Sequence, residues 1–131
     1  MTSPIRVLIV DDHEIVREGL ETLLSEETGV KVVGQAANGL EAFALAADLQ
    51  PEVILMDLMM PELDGIEATR RIRGAGLASQ ILVLTSFADD QKVREAIEAG
   101  AIGYLLKDVL KADLLRAIQA AAPGQTHPPP R

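Results

Sequence analysis

Five short apolar runs recur along this chain: Val7 to Val10, Val30 to Val33, Val53 to Met56, Ile81 to Leu84 and Ile102 to Leu106. Apart from Lys31 and Gly103 they are mostly continuous rather than alternating, which is how strands covered on both faces of a parallel sheet read. Between and after them, at 13–27, 39–48, 64–74, 89–98 and 109–121, apolar residues recur at helical spacing. Strand and helix therefore alternate from one end to the other. Parallel neighbours need crossover connections, so the predicted fold is α/β, one doubly wound five-stranded parallel sheet with five helices. In the first helix Val16, Leu20, Leu23 and Leu24 form one stripe toward the sheet, with Arg17, Glu18 and Glu21 off it. Ile15 also stands off the stripe, beside Gly19 and Thr22, and is expected at the surface, either as an ordinary exposed apolar residue or as a partner contact.

At 131 residues the chain has the size of a single domain. The domain is expected to span 1–122, with 123–131, which holds four prolines, as a linker or disordered tail. A net charge of −8 repels phosphate backbones, so this segment is not expected to contact nucleic acid directly. The absence of Cys excludes disulfides, thiolate metal sites and a cysteine nucleophile, and fits a reducing compartment. No leader pattern and no membrane span are present, so a cytoplasmic location is expected. Phe43, Phe87 and Tyr104 are the whole aromatic complement, which leaves no stacking platform for a flavin or a single strand.

Ligands of open α/β sheets sit outside the carboxyl ends of the strands. Asp11 and Asp12 follow the first run, Asp57 the third, Thr85 the fourth and Lys107 the fifth, whereas the second is followed only by Gly34 and Gln35, as suits an edge strand. Three carboxylates gathered in one crevice repel each other, and a bound divalent cation relieves the repulsion. An all-oxygen donor set suits Mg²⁺ or Mn²⁺ and disfavours zinc. His13 is assigned to the first turn of the first helix rather than to the ligands. With a lysine and a threonine to bind phosphoryl oxygens, the group is suited to placing a phosphoryl group on a carboxylate, and Asp57, alone on its strand end, is the natural nucleophile.

Each residue also has a plainer structural reading. Acidic residues after strands often cap helices; Asp12 is a candidate cap of the first helix and Asp64, before Gly65, of the third. Thr85 could be simply a β-branched strand residue, and Tyr104 simple packing. Arg70, Arg71 and Arg73 suit the negative end of the third helix.

Asp11-Asp12-His13-Glu14, Asp57-Leu58-Met59-Met60-Pro61 with Asp64-Gly65, Thr85-Ser86, and Gly103-Tyr104-Leu105-Leu106-Lys107-Asp108 occur in that order. Together they make the chain, from residue 5 to about 122, resemble a two-component response-regulator receiver domain. The resemblance implies a flavodoxin-like sheet of strand order 2-1-3-4-5. It also implies that Asp57 accepts a phosphoryl group from a sensor histidine kinase, with Mg²⁺ held by Asp11, Asp12, Asp57 and the backbone carbonyl of Met59. Lys107 would pair with Asp57 and then with the phosphoryl oxygens. Thr85 and Tyr104 would be the switch that carries the change to the surface of the fourth helix, fifth strand and fifth helix. Such a protein is a signalling receiver that catalyses only its own phosphorylation and dephosphorylation, not an enzyme acting on an external substrate.

Many receivers have Pro after the lysine, in a cis peptide bond; here Asp108 follows Lys107, and a cis bond without Pro costs about 2.5–4 kcal/mol. The run from Tyr104 to Asp108 resembles the NarL/LuxR-type transcription factors, whose effector is a helix-turn-helix DNA-binding domain. That implies homodimerisation on phosphorylation, through the face of helices one and five or that of helices four and five; Ile15 favours the first. Met59 and Phe87, two residues after Asp57 and Thr85, flank the expected path of the hydrolytic water, and neither can orient it. Slow self-dephosphorylation is expected. A haloacid-dehalogenase-type phosphohydrolase needs a second Asp where Met59 stands, and a flavodoxin-like electron carrier needs a phosphate-cradling loop where Asp11 and Asp12 stand. A phosphorylation-independent interaction module is the remaining alternative.

Overall fold

The computed structural model describes residues 3–86 and 90–122. Strands β1 (Ile5–Val10), β2 (Val30–Ala36), β3 (Val53–Met56), β4 (Gln80–Thr85) and β5 (Gly103–Leu106) alternate with helices α1 (Glu14–Ser25), α2 (Gly39–Leu49), α3 (Gly65–Gly74), α4 (Asp90–Ala99) and α5 (Lys111–Ala121). All four pairings are parallel and the order is β2-β1-β3-β4-β5. The expected topology is therefore present. Among the described residues no helix is long and apolar enough to cross a membrane.

The period of two along the central strands sorts the core into two layers. Leu8, Val10, Ile54, Met56, Ile81 and Val83 pack with Ala42 and Ala46 of α2, Ile66 and Ile72 of α3 and Ala96 of α4. Val7, Ile9, Val53, Leu55 and Leu82 face the other way, onto Leu24 of α1 and Leu114 and Ile118 of α5. Val16, Leu20 and Leu23 are half-buried, while Ile15 is 83% exposed, as its place off the stripe predicts.

Two strands depart from the expectation of burial on both faces. β5 alternates, with Ile102 before it, Tyr104 and Leu106 exposed; it is an edge strand, so its run of apolar residues reflects a surface and not a second core layer. β2, the other edge, extends past Val33 to Ala36, and Val33 is an extra residue that shifts the register between Val7↔Val32 and Leu8↔Gly34. Asp64 caps α3 by accepting a hydrogen bond from Glu67 N at 2.9 Å. Asp12 does not cap α1; His13 occupies the N-cap position, outside the first turn, and makes no side-chain cap bond. The Lys107–Asp108 peptide is trans. The tail at 123–131 and Phe87 lie outside the described residues.

Gly65 lets α3 start directly against the end of β3: a Cβ there would overlap the backbone carbonyl of Asp57 and stand 2.9 Å from Leu58 Cα. Gly19, in α1, has nothing within 4 Å of the same position. Denaturant unfolding should therefore show Gly65→Ala destabilising the chain by about 1–3 kcal/mol, while Gly19→Ala is neutral or stabilising by up to about 1 kcal/mol. Equal effects at the two sites would contradict this packing.

Candidate functional site at the carboxyl edge of the sheet

The sheet ladder continues one residue beyond the strands. Asp11 N–H donates to Ala36 O at 3.0 Å, Asp57 N–H to Val10 O at 3.0 Å and Lys107 N–H to Thr85 O at 2.7 Å. Residues that follow separate strands are thereby held side by side. Asp11, Asp57 and Thr85 are buried, Asp12 is half-buried, and Lys107 reaches over them with its side chain 18% exposed.

Lys107 Nζ lies 2.5 Å from Asp11 Oδ2 and 3.6 Å from Asp57 Oδ2. The lysine thus makes the expected ion pair with Asp57 and adds a shorter contact to Asp11. The other oxygen of Asp11 accepts a hydrogen bond from His13 N–H at 2.8 Å, and His13 Nδ1 stands 3.1 Å from it. Burial pushes the Asp57 carboxyl above the usual carboxylate range, and the charges of Asp11 and, less strongly, Asp12 push the same way; Lys107 and the backbone N–H of Met59 oppose them.

The donors fit a hard divalent ion. Asp11, Asp12 and Asp57 each offer a carboxylate oxygen within 4.8 Å of the others, and Asp12 Oδ1 is buried with no hydrogen-bond partner. A buried, unsatisfied carboxylate oxygen is costly unless a cation is provided for it.

One contributor was not legible in the sequence, and a second, His13, is expected in the first turn of α1 from its place in the Asp11-Asp12-His13-Glu14 motif but turns to the site instead. Arg17, assigned only to the outer side of α1, donates from Nη1 to the backbone carbonyl of Asp11 at 2.7 Å and from Nε to Gln35 Oε1 at 3.1 Å, tying β1, α1 and β2 together. His13 turns its ring toward Asp11 and Asp12. Met59 is 52% exposed beside Asp57, and Tyr104, 46% exposed, points outward.

Residues 7–119 match the family described as response regulator receiver domain. The chain belongs to that family. It is 50% identical over 121 residues to the transcriptional regulatory protein LiaR of Bacillus subtilis, covering 92% of this chain and 57% of the relative. It is 43% identical over 122 residues to the response regulator protein VraR of Staphylococcus aureus, covering 93% and 58%. The signal receiver domain of the putative response regulator NarL from Mycobacterium tuberculosis superposes with a TM-score of 0.90 at 33% identity, covering 95% of this chain and 100% of that one. The receiver therefore spans somewhat more than half the length of these two curated relatives, and the NarL/LuxR-type resemblance of its fifth-strand motif agrees with them.

Because burial raises the carboxyl pKa of Asp57 in the folded receiver above its unfolded value, this group subtracts stability as pH rises from the unfolded carboxylate range through the folded value. Asp57→Asn removes that cost. In chelator at pH 7 the variant should be more stable, with a higher Tm, and the gap should close as pH falls below the unfolded carboxylate range. Thermal melts across pH check this; a variant less stable than the native chain at pH 7 would contradict it.

Proposed function

We propose that this receiver accepts a phosphoryl group on Asp57 from a phosphohistidine of a sensor kinase and thereby switches a transcription factor. The observation that carries the reading is the joint placement of Asp57, Asp11, Asp12 and Lys107, with Lys107 Nζ between two buried carboxylates. A carboxylate oxygen of Asp57 attacks phosphorus, the O–P bond forms as the N–P bond of the phosphohistidine breaks, and the electron pair leaves on the imidazole nitrogen. Asp11, Asp12, Asp57 and the Met59 carbonyl would hold Mg²⁺, with Mn²⁺ as a substitute; when bound, the ion supplies positive charge to the transferring oxygens. Lys107 transfers part of its contact from Asp11 to the arriving group, and the Thr85 hydroxyl donates to one of its oxygens.

The switch follows from the same edge. Thr85 ends β4, whose carbonyl is bonded to Lys107 N–H, and Tyr104 stands on the adjacent strand with its ring outward. A Thr85 drawn toward the phosphoryl group leaves space that favours an inward Tyr104, so phosphorylation selects between two states of the α4, β5 and α5 surface. Homodimerisation then uses the α1 and α5 face, where Ile15 projects beside Gly19 and Lys111, and controls a DNA-binding effector. The receiver transforms no external substrate, and a cytoplasmic setting suits a partner kinase and a DNA target. The domain proper is 1–122, with 123–131 as a linker.

Incubation with acetyl phosphate and Mg²⁺ should add one phosphoryl mass to the intact chain, and none to Asp57→Ala or when Mg²⁺ is withheld. Followed over time, the adduct should be long-lived, and polar residues at both Met59 and Phe87 should shorten its life by about tenfold or more. No adduct on a chain that is folded, alongside a control receiver that is labelled, would replace this function with a phosphorylation-independent interaction module.

A further inference from the structure

The ring of His13 is unexplained by helix capping. It makes no side-chain cap bond, yet its Nδ1 lies 3.1 Å from Asp11 Oδ1 and 3.2 Å from Asp12 Oδ1. One nitrogen carries at most one hydrogen, and the Asp12 oxygen is buried without a hydrogen bond. Two carboxylate oxygens therefore converge on one ring nitrogen, and only the contact to Asp11 has hydrogen-bond geometry, in the tautomer that carries hydrogen on Nδ1. Two ligands about 2.1 Å from one octahedral ion and at right angles stand about 3.0 Å apart, close to both nitrogen–oxygen distances. Nδ1 and one oxygen each of Asp11, Asp12 and Asp57 all lie within 4.8 Å of one another.

We propose that His13 Nδ1 is a further metal ligand of the aspartate pocket, which gives the site a nitrogen donor and lets it take borderline ions of the Ni²⁺, Co²⁺ and Zn²⁺ class as well as Mg²⁺. The inference rests on the reading of that pocket as a cation site. Imidazole suits the borderline ions, whereas Mg²⁺ binds through carboxylates and water. The 68% exposure of the His13 side chain leaves the ring free to turn by a small angle while Asp11 stays fixed by Lys107 and by His13 N–H. The placement of His13 in the first turn, and with it the exclusion of nitrogen-preferring ions, gives way to a site whose occupant depends on which metal is available. An ion held by His13 would sit where the Mg²⁺ needed for phosphoryl transfer belongs, so such ions act as competitors as well as substitutes.

Calorimetric titration of the full chain with Ni²⁺ and, separately, Mg²⁺ tests this, using His13→Ser, which keeps a good N-cap residue, His13→Ala, and His127→Ala to remove the tail imidazole. Both His13 variants should weaken Ni²⁺ by about tenfold or more and change Mg²⁺ by less than about twofold; His127→Ala should leave both ions unchanged. Spin-echo spectroscopy of bound Mn²⁺ should show a nitrogen coupling that the His13 variants lose. Unchanged Ni²⁺ affinity, equal weakening of both ions, or a nitrogen-free Mn²⁺ spectrum in a chain that binds Mg²⁺ overturns the inference alone. Failure of the native chain to bind any divalent ion overturns both the inference and the reading beneath it.

Discussion

Charge repulsion at one edge of the sheet is the constraint around which this molecule is organised. Asp11 and Asp57 are buried side by side with Asp12 next to them, and among the described residues the ammonium seen to meet their mutual repulsion is that of Lys107. One cation cannot balance three carboxylates. The imbalance is visible as a raised Asp57 pKa and an unsatisfied Asp12 oxygen. A site in this condition gains from additional positive charge, and phosphorylation chemistry that requires a divalent ion follows from the same deficit.

The fold supplies the geometry that keeps the repulsion from relaxing. Parallel register aligns the strand ends, and hydrogen bonds past Val10, Ala36 and Thr85 fix the backbone of Asp57, Asp11 and Lys107 respectively. Gly65 allows the following helix to pack against the carbonyl of Asp57, and Arg17 holds the carbonyl of Asp11. Two apolar layers make this frame stiff. The exposed side of β5 lies one strand away from Thr85, so a local change in charge has a short route to the surface that carries Tyr104.

Much of this was legible in residue order because it depends on local patterning. Apolar runs at strand length and stripes at helical spacing gave the doubly wound α/β class, the family resemblance implied the strand order, and the residue after each run located the acidic edge. The missed features depend on where side chains meet in space. A continuous run cannot distinguish a central strand from an edge strand whose outer face is solvated, so β5 read as buried. The bulge at Val33 in β2 leaves no mark in composition. Arg17 belongs to a segment whose sequence reads as an ordinary amphipathic helix, and only the chain's turn after β1 brings it to Asp11; His13 lies within the acidic motif, and the same turn sets the direction of its ring. The pairing of Lys107 with Asp57 was legible, whereas its shorter contact to Asp11, two strands further across the sheet from β5 than β4 is, depends on how far the side chain reaches.

The central claim is that Lys107 and a divalent ion share the neutralisation of one carboxylate cluster. Thermal unfolding of the native chain and of Lys107→Met, each titrated with Mg²⁺ from a chelated start, tests it most directly. The account predicts that Lys107→Met melts lower without the ion and gains more from Mg²⁺ than the native chain does, because the lost charge is the one the ion replaces. Equal gains in the two chains, or no response to Mg²⁺ in either, would contradict it.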